Sequence, residues 1–269
     1  MISSKFSKLA NTRALSTLPN ALEAVEALEH VVEEKPMLDR TRKHPSITYS
    51  VVGPHKVDVV NNLLYATYHP DEPITRHLGL YKGHGSIPDA DRMVQEILPK
   101  HLSLFSYDST GNIIGVCVNN ACIKSEFLQE WDDRLEHVID PSYKPMLAIH
   151  HQLRLKNVHV YDELRTDKFF SIRMVGVDPR FRGLGVATDL VRRSILLAGC
   201  LGFSGIKTEA TGRYSQRAFD TIGMLRTDSI QYEDFEFEGE KVFKGMDPNH
   251  TELVFMKKKF FQSCLTHIM

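Results

Sequence analysis

The chain has 269 residues, 42% hydrophobic and 25% charged, which suits one sizeable globular domain or two small ones with a core that needs no staples. A net charge of −1 and a pI near 6.9 exclude the strongly basic balance of a nucleic-acid binder. No apolar run approaches the roughly 18 residues of a membrane span, and no membrane partner is expected. Cys117, Cys122, Cys200 and Cys264 form neither a CxxC pair nor a zinc-spaced cluster with histidine, so they read as reduced thiols of an intracellular protein.

The first residues, MISSKFSKLANTRALSTLPN, are basic, Ser-rich and free of acids before Glu23. That pattern fits a disordered tail or a mitochondrial-type transit peptide; the cytoplasm is the expected location, with organellar import as the alternative. ALEAVEALEHVVEE (Ala21 to Glu34) has helical spacing and MLDRTRKHP reads as a linker, so residues 1–44 form an extension and residues 45–261 the domain, with 262–269 a tail. Ser46 to Val52 alternates like a strand. VDVVNNLLYATYH is helical and stops at Pro70; a polar, Gly- and Pro-containing stretch follows, then a second helical pattern in DRMVQEILPKHL. LSLFSYDSTGNIIGVCVNNACI reads as a hairpin turning at Asp108 to Gly111.

Residues 125–165 are charge-rich and mostly helical in pattern. FFSIRMVGV (Phe169 to Val177) is an apolar strand of a sheet interior, and Ala187, Leu190, Val191, Ile195 and Ala198 mark one face of a helix that Gly199 or Gly202 can end. GIKTEAT is a further strand, SQRAFDTIG a short helix, and MLRTDSIQYEDFEF and TELVFMKKKF closing strands. The order predicts a mixed α/β domain, one sheet flanked by helices with a crossover late in the chain.

Between that apolar strand and helix stands RFRGLGVATDL, Arg180 to Leu190. A helix start carries unpaired N–H groups and partial positive charge, which favour an anion. Gly183 and Gly185 allow close backbone approach and unusual φ, and Arg180 and Arg182 add formal charge. A P-loop is excluded because no Lys-Ser or Lys-Thr follows the glycines. A dinucleotide turn is weakened: Thr188 stands where the third Gly or Ala belongs, although Glu209 could supply the acid, and half the chain precedes the motif.

Arg180-Phe-Arg-Gly183-Leu-Gly185-Val-Ala187 resembles the pyrophosphate-binding motif of the GNAT N-acetyltransferases, and the likeness extends over roughly residues 46–260. HPDEPITRHLGL, NIIGVCVNN and ATGRYSQRAFDTIGM are similar to segments of the invertebrate arylalkylamine (dopamine-type) N-acetyltransferases. The resemblance implies a GNAT-like acyl-CoA N-acyltransferase fold with a mostly antiparallel central sheet. It implies acetyl-CoA as cosubstrate, held by Val175, Gly176, Val177, Arg180, Arg182, Gly183, Leu184, Gly185, Val186, Ala187 and Thr188, with a backbone N–H of the Met174–Val177 strand facing the oxyanion. It also implies Glu72 as general base and active-site hydroxyls at Thr211 and Ser215. Met224 stands where the superfamily commonly has Phe, and Phe219 where many members have a proton-donating Tyr.

The chemistry needs such groups. An alkylammonium has a pKa roughly three units above neutrality, so a base must remove its proton before attack. Glu72 also reads as solvated turn chemistry, Ser215 as a helix N-cap, and Lys257 to Lys259 as the solvated end of a strand. The acidic run Glu233 to Glu240 reads as hairpin decoration able to attract cationic amines. His150, His151 and His159 lack a completing ligand set, so no metal is expected. The expected protein is a monomer acting on a small arylalkylamine such as dopamine, tyramine, octopamine or serotonin. Other small amines or polyamines, an NAD(P)-dependent oxidoreductase and a non-catalytic CoA-binding protein are the alternatives.

Overall fold

The computed structural model describes residues 47–260; the helix expected at Ala21 to Glu34, the C-terminal tail and Cys264 lie outside them. The strands are β1 (Thr48–Val51), β2 (Leu104–Tyr107), β3 (Ile113–Ile123), β4 (Lys168–Val177), β5 (Gly205–Ala210), β6 (Leu225–Gln231) and β7 (Glu252–Lys259). The helices are α1 (Val57–Thr67), α2 (Pro73–His77), α3 (Pro88–Ile97), α4 (Gln129–Glu136), α5 (Lys144–Lys156), α6 (Val160–Glu163), α7 (Val186–Cys200) and α8 (Arg213–Thr221).

One sheet runs β1-β2-β3-β4-β5-β7-β6. Every pairing is antiparallel except β4 with β5, whose crossover is α7. A doubly wound dinucleotide domain needs a mostly parallel sheet, so Gly183-Leu-Gly185 does not open one.

Alternation along the strands divides the core between two faces. Phe170 and Ile172 turn toward α7 and its Leu190, Val191, Leu197 and Ala198. Phe169 turns the other way, to Trp131, Leu147 and Leu153 of α4 and α5, while Met174 joins Val60, Leu64, Val94 and Ile97 of α1 and α3. Buried Asn119 fastens β3 to α7 by donating to the Leu102 carbonyl and to Ser194 Oγ, both at 2.9 Å.

The end of α8 explains two residues of the sequence. Gly223 takes φ +75°, its N–H bonds the Asp220 carbonyl, and the Met224 N–H bonds the Phe219 carbonyl. This is a Schellman stop, whose apolar contact joins the residue after the glycine to the last turn. Met224 and Phe219 are both buried in the core under α7.

Two expected boundaries move, and one surface reading changes. The second helix begins at Pro88, because proline suits a first helical turn. β6 stops at Gln231; the acidic run enters a short 3-10 turn and then a tight bend bridging Phe237 and Glu240. Two of the three lysines of β7 are engaged: Lys257 pairs with Glu163, and Lys258 Nζ donates to the Ile222 carbonyl at 2.6 Å, while Lys259 is exposed.

Candidate active site

The site forms where β4 parts from β5. Their pairing covers Phe170 to Ile172 against Ile206 to Thr208, and Thr208 Oγ1 closes it with a 3.1 Å bond to the Ile172 carbonyl. Arg173 is the extra residue of a bulge in β4, between the pairs Val118–Met174 and Asn119–Ile172. A bulge bends its strand and increases the twist, so Met174 to Val177 stay with β3 and leave the edge of β5. Gly176 is required here: an added Cβ would lie 2.3 Å from Thr67 Oγ1, so only glycine lets the end of α1 approach β4.

Beyond the parted strands lies the glycine turn. Gly183 and Gly185 have φ +75° and +85°, and a Cβ on either would meet no atom within 4 Å. Gly185 caps α7 with no side chain over the helix end. Among the described residues, no backbone or side-chain acceptor serves the N–H groups from Gly183 to Thr188. Open space, unpaired donors and a helix start make an anion cradle that fits a pyrophosphate.

The arginines divide their work. Arg180 is exposed and paired with Asp178 at 2.6 Å. Arg182 instead reaches inward. Its Nε donates to the Val177 carbonyl at 3.2 Å, Nη2 to the Thr67 carbonyl at 2.9 Å, and Nη1 lies 2.6 Å from Asp71 Oδ2.

Glu72 follows Asp71 and is buried, 3% exposed, which removes the solvated-turn reading. Its side chain caps α2, with Oε1 accepting from the Ile74 N–H at 3.2 Å and Oε2 from the Thr75 N–H at 2.6 Å. Burial first, and the Glu72 carboxylate second, push the phenols of Tyr68, Tyr143 and Tyr232 well above their ordinary range. All three phenols stay protonated at neutral pH and lie close enough to Glu72 to feel its carboxyl group. Tyr232 donates to the Thr211 carbonyl at 2.7 Å, and a Cβ on Gly212 would lie 3.2 Å from Pro73. The loop carrying Thr211 thus rests on the segment carrying Glu72.

A cavity opens beside these groups. Tyr68, His69, Thr75, Tyr143, Met174 and Thr211 line it, together with Trp131, His150, Arg173 and Glu209, which are joined to one another by contacts. His69 is buried without a partner for Nδ1, and burial lowers it to about 4, so it is neutral at pH 7. Ser215 is the third residue of α8 and not its cap. Gly212 holds that position, and Ser215 Oγ donates to the Gly212 carbonyl at 2.8 Å. Tyr214 is 72% exposed. His150 has a defined partner, Glu209 Oε2 at 2.7 Å from Nδ1.

Of the residues marked in the sequence, Thr211 lines the cavity, and Glu72 lies among its tyrosines, capping the helix that carries Thr75. Val175 to Val177 and Gly183 to Thr188 form the parted edge and the turn. The tyrosines, His69, Trp131 and Arg173 were not marked, and His150 and Glu209 were weighed only as a metal ligand and a dinucleotide acid, not as a pair. They come from six separate stretches, and only their folding together gives them a role.

No protein-family model matches the chain. Among solved structures, arylalkylamine N-acetyltransferase 2 of Aedes aegypti is 29% identical, with 80% of this chain and 99% of that one covered and a TM-score of 0.74. A mosquito arylalkylamine N-acetyltransferase like 5b is 20% identical over 80% of this chain and 100% of that one, with a TM-score of 0.71. The polyamine N-acetyltransferase of Drosophila melanogaster, whose product is N-acetylagmatine, is 17% identical over the same shares, also with a TM-score of 0.71. With the parted strands and the open glycine turn, these likenesses give the chain the fold of the GNAT acetyltransferases and make it an acetyl-CoA-dependent N-acetyltransferase.

Proposed function

We propose that the acceptor is the primary amine of a small arylalkylamine, and that it attacks acetyl-CoA directly with Glu72 taking its proton. The observation that carries this reading is the buried Glu72 carboxylate, ringed by tyrosines, beside a cavity walled by Tyr68, Trp131 and Tyr143. A planar ring suits those walls, and the carboxylate suits the ammonium end.

The pyrophosphate of the cosubstrate would lie on the N–H groups of Gly183 to Thr188, with its thioester arm along Val175 to Val177. The amine nitrogen forms a bond to the acetyl carbon while the carbon–sulfur bond breaks. The amine's proton goes to Glu72, and the sulfur leaves as thiolate. A backbone N–H of Met174 to Val177 faces the oxyanion. The Thr211 hydroxyl stabilises the thiolate, with Ser215 one helical turn behind it. Among the described residues no cysteine lines the cavity, which favours direct attack over an acyl-enzyme.

The reading is tested by thiol release from acetyl-CoA over a panel of amines. Dopamine, tyramine, octopamine and serotonin should exceed agmatine and spermidine in kcat/KM by about tenfold or more. A preference for the polyamines would overturn the acceptor assignment.

A further inference from the structure

Beneath the cavity wall formed by Trp131, His150, Arg173 and Glu209 lies a buried ionic cluster with more positive than negative charge. Its cations are Arg134, Arg154, Arg173 and Lys207, each with a side chain no more than 8% exposed. Its carboxylates are Glu130, Glu209 and the half-exposed Glu96. Each carboxylate already has cations of its own. Glu209 takes Lys207 at 2.6 Å, Arg154 at 2.9 Å and His150 at 2.7 Å. Glu130 takes Arg173 at 2.9 Å, Arg134 at 3.5 Å and Arg154 at 3.7 Å. Glu96 takes Arg134 at 2.5 Å. Four cations therefore share three carboxylates.

The spare charge has spare donors beside it. Arg173 Nε and Trp131 Nε1 are buried without a hydrogen-bond partner, and both residues line the cavity. Arg154, wholly buried behind them, packs its guanidinium over the Trp131 ring at 4.3 Å, and none of its three nitrogens makes a well-formed hydrogen bond. Buried donors without acceptors are costly and rare in a finished structure. The titration behaviour agrees. Although burial opposes it, Arg173, Arg154 and Arg134 hold Glu130 at about 2, and Lys207 is lowered by burial and then by Arg154.

The cavity therefore has a carboxylate near Tyr68, Thr75 and Tyr143 and excess cation behind Trp131 and Arg173. We propose that the preferred acceptor carries an anionic group, a carboxylate, at the end remote from its amine, and that this group meets Arg173 and the Trp131 N–H. The inference rests on the acetyltransferase reading above and narrows its acceptor. A second cation at that end, as in a diamine, would face uncompensated arginine.

Paired substrates test it: phenethylamine against its para-carboxylate, and butylamine against gamma-aminobutyrate, by thiol release with wild-type enzyme. The para-carboxylate should exceed phenethylamine in kcat/KM by about tenfold or more, with gamma-aminobutyrate favoured in the same direction. In Arg173→Gln, checked for folding by its melting curve, the ratio should fall to within about twofold. Equal or better use of the uncharged members would overturn the anion subsite while leaving acetyl transfer intact. Thiol release with no amine at all would instead count against the amine-acceptor reading itself. Should Arg173→Gln not fold, the wild-type ratios decide alone.

Discussion

Arg182 Nη1 lies 2.6 Å from Asp71 Oδ2, so a single side chain joins the glycine turn to the segment that carries Glu72. The same guanidinium holds the carbonyls of Thr67 and Val177. Its planar fork, bonded to three groups, fixes the end of α1, the end of β4 and the acidic turn together.

Arg182→Ala should accordingly raise the KM for acetyl-CoA by about tenfold and also lower kcat, because the turn and the base lose their common tie. Arg182→Lys should recover only part of this, since an ammonium cannot span the three acceptors. The Asp71 pairing is half exposed, so a double-mutant cycle with Asp71→Asn should give a stability coupling below about 1 kcal/mol. Steady-state kinetics and denaturation curves of the four proteins check both statements.

The cap that Glu72 makes and the base proposed for it can be separated. Glu72→Gln keeps one capping oxygen, and should lower kcat by about a hundredfold or more while acetyl-CoA affinity stays within about twofold. Glu72→Ala loses the cap as well and should melt with about 1 kcal/mol less stability. Turnover by Glu72→Gln equal to wild type would remove the carboxylate from the mechanism.

Gly183→Ala and Gly185→Ala meet no atom within 4 Å, so their cost comes from φ +75° and +85°. Each should lose about 1 kcal/mol of stability. The added methyl also enters the space a phosphate would fill, so acetyl-CoA should bind more weakly by isothermal titration. Pantetheine analogues without the pyrophosphate should be less affected.

His69 gives the protein a predictable acid sensitivity. Burial lowers it to about 4 from 6.5 in the unfolded chain, so between these values the unfolded state binds more protons. The stability it contributes is complete above pH 6.5 and is lost as pH falls toward 4, reaching about 2 kcal/mol by pH 5. His69→Gln should show a flatter stability profile than wild type over that window in denaturant titrations. An unchanged slope would mean that His69 titrates normally.

Much of this was legible in the sequence because it is local. The apolar run of β4, the 3.6-residue repeat of α7 and the glycines before it each announce themselves within about a dozen residues. Helix α2 does not: at five residues it is too short for periodicity, and its cap is a Glu, outside the usual Ser, Thr, Asp and Asn. For the same reason Glu72 could be read as solvated although it is buried. The ionic cluster around Glu130 and Glu209 is assembled from α4, α5, β4 and β5, whose members are far apart in the chain. No local pattern could mark it. Phe219 and Met224, which looked like departures at the site, are explained by the helix stop they form together.

In the proposed mechanism the open glycine turn and the Glu72 segment serve one reaction, acetyl transfer from acetyl-CoA to an amine. Amine-dependent release of free thiol from acetyl-CoA tests it most directly, alongside melting curves with CoA, acetyl-CoA and NAD. CoA and acetyl-CoA should protect the protein and NAD should not, and thiol release should require an amine and fall about a hundredfold in Glu72→Gln. Absence of CoA protection, or protection without amine-dependent thiol release, would contradict that mechanism.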